Sequence, residues 1–118
     1  MSAFKFRGSI YIGVRDLDAA LTWYQQKLDL KKSSEPPDEE VGDAVLVSKD
    51  LEAEIAFGAP NPANRDIPMF VVANAQKAWT WMQARGLNVT PVQKDRQGTV
   101  YFEMRDLEDN MIEFCEEP

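Results

Sequence analysis

The chain has 118 residues, 44% hydrophobic and 28% charged, which is typical of one globular domain with its own core. Its net charge of −7 at pH 7 repels phosphate backbones, and its only cysteine, Cys115, excludes an internal disulfide. It has no histidine, which excludes serine–histidine and cysteine–histidine catalysis and every histidine-ligated metal site.

The chain has neither an apolar run of membrane-spanning length nor, in residues 1–9, the apolar core of a signal peptide. We therefore expect a cytoplasmic protein without membrane or nucleic-acid partners. The acidity has two interpretations: it aids solubility alone, or it attracts a cationic small molecule.

The first half of the sequence predicts one strand, one helix and then further strands. Residues 6–14 are rich in β-branched and aromatic side chains, as strands are. Asp16 is a helix N-cap candidate, and the apolar spacing that follows it predicts a helix ending near Asp29. Residues 31–42 predict a loop or a weak edge strand. Two strands are expected at 44–47 and 54–57.

The second half repeats this order after a linker, residues 59–66, that is rich in proline and asparagine. A strand is predicted at 67–72, and a helix follows from the N-cap Asn74 to Arg85, with Gly86 as its stop. Three more strands are expected, at 89–92, 99–104 and 111–115.

An internal repeat is indicated by sequence as well as by order. ALTWYQ at 20–25 aligns with AWTWMQ at 78–83, and the same offset places Val14 on Val72. The predicted fold is α+β: two β-α-β-β-β modules in one domain, forming a curled eight-stranded mixed sheet around a concave pocket. Module one covers about 1–58 and module two about 67–118.

Two segments resemble motifs of the vicinal oxygen chelate superfamily, which contains glyoxalases, bleomycin-resistance proteins and dioxygenases. The segment 11–30, YIGVRDLDAALTWYQQKLDL, resembles the family's opening strand and helix, with Asp29 where a glycine is usual. The segment 101–114, YFEMRDLEDNMIEF, is similar to its closing motif, with Leu107 in place of proline and Asp109 in place of glycine.

For metal-dependent members, the resemblance implies inward-facing ligands on the first and fifth strands and a glutamate on the last. These positions correspond here to Ser9, Ile67 and Glu113. A fourth position falls near Ile55 or Ala56, where the nearest acid is Glu54. One carboxylate does not supply the several donors of a chelating site, so we expect neither metal nor cofactor.

Strand alternation places Glu113 on the concave face, where a half-buried carboxylate needs a partner, either Arg105 or a cationic ligand. The same reasoning selects the candidate ligand-binding residues, which share the Ser9 or Glu113 face: Ser9, Tyr11, Tyr101, Glu103, Arg105 and Glu113. No catalytic residue is identified.

Other conspicuous residues are given structural roles. Trp23, Trp79 and Trp81 cannot share one helix face and are expected in the core or an interface. Cys115 lacks an activating histidine and is expected to be buried. The acidic run 35–43 is interpreted as a solvated loop, with the mouth of a cation-binding pocket as the alternative.

The predicted function is metal-independent binding of a small organic molecule, cationic or aromatic, by a bleomycin-resistance-like homodimer that sequesters a compound such as an antibiotic. The alternative is a divergent glyoxalase-, isomerase- or dioxygenase-like enzyme that uses Glu113. A third hypothesis is an interaction domain without a ligand.

Overall fold

The computed structural model describes residues 5–34, 42–61 and 66–118. The elements of the first half are β1 (Phe6–Gly13), α1 (Leu17–Lys27), β2 (Lys31–Lys32), β3 (Ala44–Val47) and β4 (Ala53–Gly58). Those of the second half are β5 (Met69–Val72), α2 (Ala75–Ala84), β6 (Asn88–Val89), β7 (Gln93–Lys94), β8 (Val100–Arg105) and β9 (Met111–Glu116). Neither helix in these ranges has the length and apolarity to cross a membrane.

Both helices begin at the predicted caps. The carboxylate of Asp16 accepts from the Ala19 amide and the side-chain oxygen of Asn74 accepts from the Lys77 amide, so each satisfies a free amide of the first turn. The first residues of the two helices, Leu17 and Ala75, are related by the same offset that aligns residue 20 with residue 78.

All the strands form one open mixed sheet in the order β2-β3-β4-β1-β5-β9-β8-β6, with β7 also paired to β8. β1 pairs with β5 antiparallel at the middle of the sheet, and each is flanked by a parallel partner, β4 or β9. The predicted α+β mixed sheet is confirmed. Within the described ranges the sheet has nine strands instead of eight. Two short strands, β6 and β7, lie on either side of Pro91 where one strand was expected at 89–92, because proline has no amide to donate to a ladder.

Each half of the chain contributes one side of this sheet, and the division into two modules stays a prediction. β4 and β9 are the last strands of their halves, and each is six residues long. β5 begins at Met69 instead of Ile67, directly after Pro68. Of the segment 31–42, β2 forms a two-residue edge strand. The acidic run 35–43 lies outside the described residues except for Gly42 and Asp43.

The hydrophobic core lies between the sheet and the two helices. Strand residues that alternate along β8 and β9, such as Phe102, Met104, Ile112 and Phe114, are fully buried with Tyr24 and Met82 of the helices. The residues between them point to the opposite, concave side. No helix in the described ranges covers that side, and we call it the open face.

Candidate functional site

The open face is organised as rows of side chains that cross the sheet. The middle row contains Glu54, Ser9, Met69, Glu113 and Glu103. Ser9 is paired with Glu54, Met69 with Glu113, and Glu113 with Glu103. Extending the β1–β5 register by two residues from the Arg7–Val71 pair sets Ser9 opposite Met69.

Two further rows flank the middle row. The Tyr11 row contains Ala56, Tyr11, Ile67, Met111 and Arg105, and the Cys115 row contains Arg7, Val71, Cys115 and Tyr101. Neighbouring rows are separated by two residues along a strand, about 7 Å. The Tyr11 and Cys115 rows are mainly apolar or aromatic, whereas the middle row carries three carboxylates.

All six candidate ligand-binding residues lie on the open face, and the structure distributes them over the three rows. Ser9, Glu103 and Glu113 are in the middle row. Tyr11 and Arg105 belong to the Tyr11 row, and Tyr101 to the Cys115 row. Their roles in binding stay a prediction.

Of the two candidate partners of Glu113, a cationic ligand or Arg105, the structure pairs Arg105 elsewhere. The Arg105 guanidinium lies 3.4 Å from a carboxylate oxygen of Asp109 and donates to the Asp109 carbonyl. Arg105 is opposite Met111, one row away from Glu113, while Asp109 lies in the turn that directly follows its own strand. The local partner is therefore the nearer one.

Glu113 is half-buried, and its side chain makes no hydrogen bond or ion pair with any described residue. Partial burial raises the pKa of its carboxyl group, and the negative charges of Glu103 and Asp95 raise it further. Glu103 is directly opposite on β8, so two carboxylates face each other across neighbouring strands without a bridging cation among the described residues.

The four positions implied as metal ligands do not fit a divalent metal. They carry a hydroxyl, two aliphatic side chains and one carboxylate, from Ser9, Ala56, Ile67 and Glu113. Phe57 and Phe114 both face the core and directly follow Ala56 and Glu113, so Ala56 occupies the place in β4 that Glu113 occupies in β9. Within the described ranges, no three histidine, cysteine, aspartate or glutamate side chains are grouped to hold a metal.

Two hollows adjoin the open face, one on each side of the middle row. The Tyr11 hollow has a volume of about 240 Å³, and Tyr11, Pro60, Ile67, Pro68 and Met111 are among its lining residues. The Val71 hollow has a volume of about 420 Å³, and its lining includes Met69, Val71, Thr99, Val100 and Cys115. Of the six candidate residues, only Tyr11 lines either hollow.

Sequence reasoning placed Ile67 at an inward-facing position of the family but included neither Ile67 nor Met69 among the candidate ligand-binding residues. Their side chains are 49% and 45% exposed, an unusual degree for large apolar groups in a sheet with a packed core. The signal that could have found them is the same alternation that placed Glu113, applied to the strand that begins the second half.

Cys115 lines the Val71 hollow and is only half-buried, whereas a fully buried cysteine was expected. Its sulfur lies 3.2 Å from the Met69 sulfur. Partial burial raises the pKa of the thiol, and Glu113 and Asp95 raise it further, which disfavours the nucleophilic thiolate. The three tryptophans pack partly buried against the core, as predicted.

The two family-like segments meet at a buried hydrogen-bond network on the helix side of the sheet. The Tyr24 hydroxyl donates to the Asp106 carboxylate at 2.7 Å, and the Asn110 side chain donates to Asp106 and to the Gly13 carbonyl. Glu108 accepts hydrogen bonds from the Arg15 and Asp16 amides. These residues connect the turn before β9 with the start of α1, so their role is structural.

Comparison with known proteins agrees with this fold. The sequence profile of the Glyoxalase/Bleomycin resistance protein/Dioxygenase superfamily matches residues 8–114, and the chain belongs to that superfamily. A comparison with curated proteins finds no match.

Solved structures with low sequence identity share the architecture. A superfamily member from Sphaerobacter thermophilus is 18% identical, with a TM-score of 0.70 over 94% of this chain and 96% of its own. A putative glyoxalase family protein from Bacillus anthracis is 21% identical, with a TM-score of 0.67 over 100% and 99%. TnmS3, an antibiotic binding protein from a Streptomyces species, is 14% identical, with a TM-score of 0.68 over the full length of both chains.

Proposed function

We propose that this protein is a metal-independent binder of a small organic molecule and that the ligand lies on the open face. The observation that carries the proposal is the exposure of large apolar side chains on one uncovered sheet surface. Tyr11, Ile67 and Met69 account for three of the five exposed large hydrophobic residues among those described. A cluster of this kind marks a binding surface.

The ligand is a cationic or neutral aromatic compound. The open face carries unpaired carboxylates, while its arginines are already paired within the chain, Arg7 with Glu117 and Arg105 with Asp109. An anion would meet repulsion that increases as water is displaced. The antibiotic binding relative TnmS3 supports an antibiotic as one such compound.

We propose that the protein is located in the cytoplasm. The lone, half-buried thiol of Cys115 supports this, because cysteines stay reduced there.

An enzymatic function is the second candidate, and one observation favours it. Glu103 and Glu113 face each other, and the pKa of Glu113 is raised by partial burial and by the charge of Glu103, the direction expected for a carboxyl group that donates a proton. A glyoxalase-, isomerase- or dioxygenase-like reaction would then use Glu113 without the family's metal.

Elemental analysis of the purified protein together with a thermal-shift screen separates these functions. We expect no stoichiometric metal and an increased melting temperature with cationic or neutral aromatic compounds. About one Ni, Zn, Fe or Mn per chain, removable with loss of a measured activity, would show that the binding-protein proposal is wrong. Stabilisation by anions alone would contradict the charge preference.

A further inference from the structure

We propose that the ligand carries a central cationic amine between two apolar groups. The amine lies over the middle row, and the apolar groups enter the Tyr11 hollow and the Val71 hollow. This inference rests on the proposed function and specifies the chemistry of the molecule bound.

The first argument is the position of the two hollows. One is lined by residues of the Tyr11 row and the other by residues of the Cys115 row, and the middle row lies between them. The two flanking rows are four residues apart along a strand, about 14 Å. A single compound with two ring-sized groups and a short linker spans that distance, whereas a compound with one ring fills one hollow only.

The second argument is the charge between the hollows. The middle row contains three carboxylates, those of Glu54, Glu103 and Glu113. None of these side chains pairs with a cation in the described part of the chain. A linker crossing this row is favoured if it is positively charged, because charge-assisted hydrogen bonds to a carboxylate are about twice as strong as neutral ones.

A second copy of this chain is a poorer occupant of the open face. A symmetric face-to-face contact places the middle row of one chain close to the middle row of its partner. Three carboxylates would then face three more, and neither face has a free arginine to balance them. The negative charge of the open face is therefore complementary to a small cation, whereas a second copy of the same face would repel it.

Three probes test the proposal by calorimetric titration at neutral pH: bis(3-phenylpropyl)amine, its uncharged analogue bis(3-phenylpropyl) ether, and the one-ring amine N-methyl-3-phenylpropylamine. The seven-atom linker of the first two separates the rings far enough to reach both hollows. We expect the two-ring amine to bind most tightly and each of the others at least about tenfold more weakly, roughly the loss of one charge-assisted hydrogen bond or one buried ring.

Two variants and one control locate the parts of the site. Glu113→Gln should weaken binding of the two-ring amine about tenfold and leave the ether unchanged. Val71→Asn places an uncharged polar group in the Val71 hollow, so it should weaken the two-ring amine and leave the one-ring amine in the Tyr11 hollow unchanged. The control Asp18→Asn also removes one negative charge, but on the exposed side of α1 and away from the open face. It should change the affinity for neither amine. Circular dichroism verifies that each variant is folded.

The outcomes separate the inference from the proposed function. Equal affinity for amine and ether, or for one-ring and two-ring amines, overturns the inference while the open face stays a binding site. Absence of binding by all three probes overturns both proposals. Light scattering that shows dimers dissociated by Glu113→Lys would instead identify a second copy as the occupant of the face.

Discussion

At the scale of single residues, the buried pair of Tyr24 and Asp106 shows how a family motif acts. Asp106 is one of the few polar residues in the interior, and burial together with the Asp106 charge raises the pKa of Tyr24 well above its ordinary value. The pair is therefore a neutral phenol donating to a carboxylate. The same carboxylate also accepts from the Asn110 and Glu108 amides.

Replacing Tyr24 by Phe should destabilise the fold by about 1–3 kcal/mol, because a buried carboxylate loses a donor while the ring contacts stay. Urea unfolding measures the change. The matched control is Tyr101→Phe, whose hydroxyl makes a long 3.5 Å contact with Gln93 on the partly exposed face and should change stability little. Equal effects of the two substitutions would contradict the structural role of the motif.

Glu113 gives a pH-dependent prediction. Because folding raises its pKa, the folded state binds the proton more tightly than the unfolded chain does. Its contribution to stability is therefore present below the ordinary glutamate pKa and lost as pH rises through the raised pKa.

Glu113→Gln should consequently be more stable than the parent protein at neutral pH, and the difference should disappear in acid. Its magnitude is at most about 0.5 kcal/mol, because solvent screens a group that is largely accessible. Thermal unfolding from acid to neutral pH measures this difference in stability, with Asp18→Asn as the charge control. A variant destabilised at neutral pH would indicate that Glu113 has a favourable partner.

At the scale of elements, three non-glycine residues in the described part of the chain adopt left-handed backbone conformations between secondary-structure elements. Asp29 and Asp109 have φ angles of 58° and 67°, and they are the two positions where the family usually has glycine. Aspartate tolerates this conformation better than most residues do, so both turns keep a left-handed residue although aspartate replaces glycine.

Leu51 is the third such residue, with a φ of 63° and 68% exposure in the turn before β4. Leucine gains no burial there and bears the steric cost of its Cβ. Leu51→Gly should stabilise the protein by about 0.5–1 kcal/mol, the left-handed penalty less the entropy lost by glycine. Leu51→Ala keeps the Cβ and should give no gain. Denaturant unfolding compares both, and equal stability of the two variants would contradict a steric cause.

The C-terminal ends of the two helices are joined by reciprocal hydrogen bonds. The Arg85 guanidinium donates to the carbonyls of Gln26 and Lys27 at the end of α1, and the Lys27 ammonium donates to the Arg85 carbonyl after α2. Lys27 and Arg85 are equivalent positions of the internal repeat. Each basic side chain thus satisfies carbonyl groups that the other helix leaves free, at the end where its dipole is negative.

At the scale of the whole molecule, we predict a homodimer from the family resemblance. The middle row makes the open face a poor surface for a symmetric contact, so we expect the dimer to use another part of the chain. Light scattering over micromolar concentrations should give twice the chain mass, and Glu103→Lys should leave that mass unchanged. A monomer at every concentration would contradict the prediction.

The sequence by itself determined both helices, most of the strands, their order and the side of the sheet on which their residues lie. Local signals were sufficient for this: the caps at Asp16 and Asn74, and the two-residue alternation that placed Glu113, Glu103 and Tyr11 on one face. Only the tertiary structure decided which of these residues are neighbours, because pairing of β1 with β5 and of β5 with β9 joins segments far apart in the chain. That pairing separates Arg105 from Glu113 by one row and places Ile67 and Met69 among the candidate residues. It also leaves the middle row without a balancing cation in the described part of the chain, since Arg7 and Arg105 have nearer acidic partners.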